Sequence, residues 1–172
     1  ALKYIGNTYT DADAELDYYM RSLEIAEQLG DKELESKAVY NIGNIYAGKQ
    51  NFEKALDYLT RSVMLDEELD DKQGIAWALS NIGNLYHHGK NDNDMALDYW
   101  LKSLKILEEI GDKSHIVGGR LGNIGAIYNI MGDYEKTIAY TKRSYKIFEE
   151  LDARIYMGHS LSNIADTYKN QG

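Results

Sequence analysis

One six-residue pattern returns along the chain at nearly constant intervals. Tyr4-Ile5-Gly6-Asn7-Thr8-Tyr9 recurs as Asn41-Ile42-Gly43-Asn44-Ile45-Tyr46 and as Asn81-Ile82-Gly83-Asn84-Leu85-Tyr86. Looser copies read Asn123-Ile124-Gly125-Ala126-Ile127-Tyr128 and Asn163-Ile164-Ala165-Asp166-Thr167-Tyr168. The small residue steps through positions 6, 43, 83, 125 and 165, at intervals of 37, 40, 42 and 40. A period this long points to an array of supersecondary units, each burying its apolar face against the next.

Each period carries a second signature. Leu16-Asp17-Tyr18 with Arg21-Ser22, Ala55-Leu56-Asp57-Tyr58 with Arg61-Ser62, Ala96-Leu97-Asp98-Tyr99 with Lys102-Ser103, and Ile138-Ala139-Tyr140 with Arg143-Ser144 are copies of one segment. Apolar residues there fall three and four apart, as at Leu56, Leu59 and Val63, which is the stripe of an amphipathic helix. Every repeat is therefore a pair of helices. The chain contains no proline, so long helices run uninterrupted and turns are made with Gly, Asp and Asn. Gly30-Asp31, Asp70-Asp71 and Gly111-Asp112 each place a residue tolerant of positive φ before an Asp suited to N-capping, whereas Asp152-Ala153 loses the capping oxygen. The pattern predicts nine helices, over 1–10, 14–29, 32–48, 52–69, 72–88, 93–110, 113–131, 134–150 and 154–170.

The uneven intervals are assigned to particular places. The 42-residue step puts one extra residue in the turn around Asn91-Asp92-Asn93-Asp94 and another near Gly118-Gly119, while the 37-residue step leaves a short turn over Thr10-Asp11-Ala12-Asp13-Ala14. A start without Met inside a helix and a stop at Gly172 after the first helix of a pair are read as a piece of a longer protein.

Composition removes several functions. Without cysteine there is no disulfide framework, thiol catalysis or cysteine-ligated metal. A formal net charge of −9 disfavours nucleic acid and anionic membranes as partners, and no apolar run is long enough to span a membrane. A cytoplasmic location fits these counts.

A small residue (Gly43) after an aliphatic (Ile42), Tyr46 three residues later, Phe52 opening the second helix, then Ala55 and the small Ser62 together resemble the tetratricopeptide-repeat family. The period of about 40 and the missing proline resemble its long-repeat branch, which includes kinesin light chain, Pins-type adaptors and bacterial regulators. The resemblance implies an all-α, right-handed superhelical solenoid of antiparallel helix pairs. Its repeats would cover about 1–30, 31–70, 71–111 and 112–152, with a half repeat over 153–172. First helices would line a concave groove and second helices its outside. The recurrent tyrosines are assigned to filling the space between adjacent repeats.

The candidate binding residues lie around each repeated Gly. Asn41, Asn81, Asn123 and Asn163 precede the small residue by two places, and Asn7, Asn44 and Asn84 follow it by one, so paired amides share a helix face. Amides donate and accept, which suits them to gripping a peptide backbone; the alternative is that they bond neighbouring helices and stabilise the stack. Lys37, Trp77, Gly119 and His159 come one turn earlier on that face, and His87 and His88 one turn later. Trp77 is the expected anchor, with packing against the next repeat as its alternative. Lys3 and Asn7 resemble the start of the carboxylate clamp of chaperone-binding members. Its other cations would fall at Trp77 and Asn81, which argues against a chain-terminal carboxylate as ligand.

Adjacent His87 and His88 are expected to point about 100° apart rather than converge on a metal, and His115 stands by itself. The acidic pairs Glu67-Glu68, Glu108-Glu109 and Glu149-Glu150 read as a solvated outer face. No phosphate loop, nucleophile elbow or dinucleotide fingerprint occurs, so neither enzyme activity, cofactor nor metal is expected. The expected function is a protein-interaction scaffold holding a peptide or helix of a partner. The alternative is a ligand-sensing segment of a bacterial kinase or transcription regulator. Weak self-association is expected through Ile155, Leu161, Ile164 and Tyr168.

Overall fold

The computed structural model describes residues 6–171, with side chains from residue 11 onward. Eight α-helices follow in order among these residues: α1 (Gly6–Leu29), α2 (Lys32–Gly48), α3 (Phe52–Glu68), α4 (Lys72–Asn84), α5 (Asn93–Glu109), α6 (His115–Ile130), α7 (Tyr134–Glu150) and α8 (Arg154–Asn170). A π-helical turn, Leu85–Gly89, continues α4. The chain divides into two compact units, Ala1–Asp92 and Asn93–Gly172. In the first, α2 packs on α1 and α3, and α3 on α4; in the second, α6 packs on α5 and α7, and α7 on α8. The class is the expected one, all-α and built of antiparallel helix pairs. None of the described helices is long and apolar enough to cross a membrane.

Seven junctions use one device. Gly30, Gln50, Asp70, Asn91, Gly111, Gly132 and Asp152 all stand at positive φ, ending one helix and turning the chain into the next. Carboxylate and amide caps then begin the following helix. Asp31 accepts from Leu34 N at 3.0 Å, Asp71 from Gly74 N at 3.0 Å, Asn51 from Lys54 N at 3.3 Å and Asp133 from Lys136 N at 3.1 Å. Ala153 has no side-chain oxygen to offer, as its sequence implies.

Three local expectations are corrected. The turn placed over Thr10–Ala14 does not exist, because α1 runs unbroken from Gly6 to Leu29 and merges two expected helices. The interval there is three residues short of what the other turns consume, so the helix runs on through it. The first extra residue of the 42-residue step lies inside the helix and not in the turn after it. Lys90 N bonds Leu85 O, five residues back, where Lys49 N bonds Ile45 O and Met131 N bonds Ile127 O, four back. The π-helical turn thus absorbs the insertion and leaves the turn itself unchanged. The second extra residue lies before α6 and not at Gly118-Gly119. It moves the N-cap from Asp112 to Ser114, whose Oγ accepts from Ile116 N while Asp112 Oδ1 accepts from Ser114 N at 2.7 Å.

Packing follows the repeated small residue. A Cβ on Gly43 would sit 2.8 Å from Leu59 Cγ, and one on Gly125 2.7 Å from Thr141 Oγ1, so at these crossings only glycine lets the helices of a pair meet. Ile42, Leu59, Ile124 and Leu121 are buried beside them. Tyr46 packs against the core cluster that joins Leu23 of α1 to α2 and Leu65 of α3, as filling between repeats requires, and two of the repeated tyrosines also stack within their pair. Tyr46 of α2 stacks on Tyr58 of α3 at 5.7 Å, and Tyr128 of α6 on Tyr140 of α7 at 5.5 Å, with Lys54 and Lys136 over the first rings. Tyr9 lies outside the described side chains, and Tyr168 is exposed.

Candidate functional site

The first unit brings the repeated asparagines of α2 and α4 together. Asn81 Nδ2 donates to Asn44 Oδ1 at 2.7 Å and to Tyr40 Oη at 3.1 Å, and Asn84 Nδ2 approaches Asn81 Oδ1 at 3.5 Å. The amides therefore form a chain across two helices forty residues apart in sequence. Part of their capacity is spent on each other, as the stacking alternative requires. Asn41 turns its Nδ2 to Lys37 O of its own helix at 2.7 Å. Asn44 keeps its Nδ2, and Asn41 its Oδ1, without a partner among the described residues.

Two cavities meet at Asn44. The larger, about 630 Å³, lies between α1 and α2 and is lined by Glu15, Tyr19, Asn41, Asn44 and Lys49. The smaller, about 210 Å³, is walled by Asn44, Phe52, Asn81, Asn84, Leu85 and His88. A surface that is mixed polar and apolar, with amides at its centre, offers hydrogen bonds to a backbone and slots to side chains.

The remaining candidates are placed less uniformly. Lys37 is exposed, and its Nζ donates to Glu33 at 2.6 Å, which raises its pKa. Trp77 on α4 is 36% exposed, so its ring is available on this unit's surface. His88 sits beside Asn84 in the smaller cavity. The rings of His87 and His88, expected to point apart, meet edge to face at 4.5 Å within the π-helical turn. Among the described residues no group of three His, Asp or Glu could hold a metal ion. Asn123 is exposed on α6, in the second unit. Lys3 lies outside the described residues, and Asn7 outside the described side chains.

Several participants are absent from the sequence reading. Tyr40 has no amide signature, and Glu15 and Tyr19 belong to a segment whose repeat copy is weakest. The acidic pairs are partly ion-paired, with Glu68 bound to Lys32, Glu108 to Arg143 and Glu150 to Lys113. Two buried charges were also unread. Asp66 accepts from the hydroxyls of Ser36 and Ser62, and burial pushes its carboxyl above the usual range despite those bonds. Arg120 lies 5.3 Å over the Trp100 ring where other repeats carry Ala38, Ala78 and Ser160, and burial lowers its pKa to about 10.

Residues 35–109 match the tetratricopeptide repeat family. No match was found among curated protein sequences. Among solved structures, BtubC (BKLC) from P. vanneervenii is 21% identical with a TM-score of 0.68 over 94% of this chain and 65% of its own. A Rap protein complexed with Competence and Sporulation Factor is 18% identical with a TM-score of 0.76, over 92% of this chain and 47% of its own. A signal transduction ATPase with numerous domains from Pyrococcus horikoshii, described as having a tetratricopeptide repeat sensor, is 27% identical with a TM-score of 0.71. That likeness spans 87% of this chain and 23% of the ATPase. The chain thus spans less than two thirds of each.

Proposed function

We propose that this chain, a member of the tetratricopeptide-repeat family, is a protein-interaction scaffold whose α2–α4 amide face holds a peptide or helical segment of a partner. One observation carries the reading: the Asn44–Asn81–Asn84 chain opens onto two cavities, with a free donor on Asn44 and a free acceptor on Asn41 toward described residues. A backbone amide laid along that face meets both kinds of group at helical spacing. Trp77 supplies an apolar anchor on the same helix as Asn81.

Affinity capture with the whole chain followed by mass spectrometry identifies the peptide, and calorimetry then tests the face. Asn44→Ala and Asn84→Ala should each weaken binding by about 0.5–1.5 kcal/mol, and Trp77→Ala by about 2 kcal/mol or more, with thermal midpoints close to the parent's. Stable variants that bind like the parent would move the site off this face.

A second reading has a specific support. Two of the similar structures are a Rap protein in complex with a factor and an ATPase with a repeat sensor. Under this reading the chain senses a ligand for a larger bacterial regulator, such as a kinase or transcription regulator, and ligand binding alters helix packing near Asn44. Hydrogen exchange with and without the captured ligand separates the two, since a sensor loses or gains protection beyond the contacted helices. Weak self-association through α8 is proposed as well.

A further inference from the structure

The two units repeat one arrangement of four helices, so each position in one has a counterpart in the other. Around Arg61 the first unit is closed. Its guanidinium holds Glu27 of α1 at 2.5 Å and Glu35 of α2 at 2.6 Å, and the Glu35 side chain is only 15% exposed. In the second unit Arg143 stands for Arg61 and Glu108 for Glu27, and these two pair as their counterparts do. Glu35, however, is replaced by Val117, and Met64 by Lys146. One carboxylate has been removed and one cation added.

The result is an open slot. A cavity of about 370 Å³ lies between the end of α5 and α7, with α6 as its floor. Val117, Leu121 and Ile147 form an apolar base, while Arg143 and Lys146 stand on the α7 wall. At the rim Lys113 and Glu150 pair at 3.3 Å and leave each other neutralised. Lys146 has no acidic partner among the described residues, and Arg143 has one where Arg61 has two.

We infer that this slot is a binding site for a glutamate side chain of a partner polypeptide, whose carboxylate takes the place Glu35 fills in the first unit. Its methylenes lie on Val117, Leu121 and Ile147, and its carboxylate meets Arg143 and Lys146. Charge-assisted bonds to two cations over an apolar base favour an acid on a short stem over a neutral amide of the same shape. The site is separate from the amide face of the first unit, and neither reading depends on the other.

The test uses the whole chain with labelled Val, Leu and Ile methyl groups and an acetylated, amidated pentapeptide, Ala-Leu-Glu-Leu-Ala. The peptide should shift the methyl resonances of Val117, Leu121 and Ile147 at millimolar concentration. Its Gln counterpart should bind about tenfold more weakly, the loss of one charge-assisted contact. Val117→Glu rebuilds the closed arrangement of the first unit and should abolish the shifts at Leu121 and Ile147. Lys146→Met, which installs the first unit's exposed residue and does not disturb the core, should weaken them about tenfold. No shift at these methyls up to about 10 mM peptide overturns the inference. So do equal binding of the Gln peptide, unchanged binding to Lys146→Met, and binding of free butyrate in preference to the peptide.

Discussion

At Gly43 the whole geometry of a helix pair turns on one missing methyl group. A Cβ there would overlap Leu59, which is itself wholly buried and cannot swing away. Gly43→Leu should therefore destabilise the chain by about 1–3 kcal/mol through overpacking, read as a lower urea midpoint; an unchanged midpoint would show that α2 and α3 can separate without cost. This residue was legible in the sequence because it recurs. Asp66 was not, since its counterparts are Leu107 and Phe148 and nothing recurs. The structure explains two members of that set by a neighbour: Gly74 leaves room for Asp66, and Gly118 for the ring of Phe148. Burial raises the Asp66 carboxyl above its unfolded value, so the folded state binds its proton more tightly than the unfolded chain does. Stability from this group is therefore greatest below the ordinary Asp range and falls as pH rises through the raised value. Asp66→Asn should remove that fall. The parent's urea midpoint should drop relative to the variant's as pH rises from the ordinary Asp value of about 4, whereas a pH-independent difference would mean that Asp66 does not titrate over that rise.

Helices and turns answered to the sequence at most caps and positive-φ residues, Asp112 excepted, because its capping role passes to Ser114. Helices α2, α3 and α7 begin at Lys32, Phe52 and Tyr134 as the pattern predicts, directly after the caps Asp31, Asn51 and Asp133, and the α8 junction lacks a cap as Ala153 implies. Ala153→Asp should supply the missing acceptor at a backbone already shaped like the other caps, φ −86° and ψ 68° against −84° and 75° at Asp133. A gain of about 1 kcal/mol is expected, measured as increased hydrogen-exchange protection of α8; a loss would mean that the aspartate's oxygen points elsewhere. Insertions were harder to place, because an interval counts residues without locating them. A helix can absorb one residue by widening a single turn, and the spacing from Leu85 to Lys90 records that it has. Deleting His88 should hence restore ordinary α-helical bonding and keep the far-ultraviolet dichroism of the parent. Deleting Ala47 from the regular segment of α2 should rotate every following side chain by about 100° and cost several times as much stability. Equal damage from both deletions would contradict the π-helical turn. The fusion of two expected helices into α1 has the same lesson: the repeat implied a turn, but the short interval left no residues to spend on one.

Across the whole molecule an apolar face and a large charge act in opposition. Leu161 on α8 is 54% exposed, although its counterparts Val39 and Leu121 are buried under α3 and α7. Ile155 and Tyr168 extend the exposed surface along the same helix, and Ile164 is half-buried where Ile42 and Ile124 are fully so. Pairing two such faces removes apolar area from water, which favours association. Every approach of two copies also brings together formal charges of −9 each, which opposes it over the screening length. That length is about 30 Å at 10 mM salt and about 10 Å at 0.1 M, so repulsion reaches across the molecule in the first case and only across the contact in the second. Sedimentation velocity should accordingly find a monomer at low salt and a growing dimer fraction as salt rises, the reverse of what ion-pair-driven association would give. Leu161→Lys places a charge in the centre of the face and should hold the chain monomeric at all salt concentrations. A dimer that persists in that variant would locate the contact away from α8.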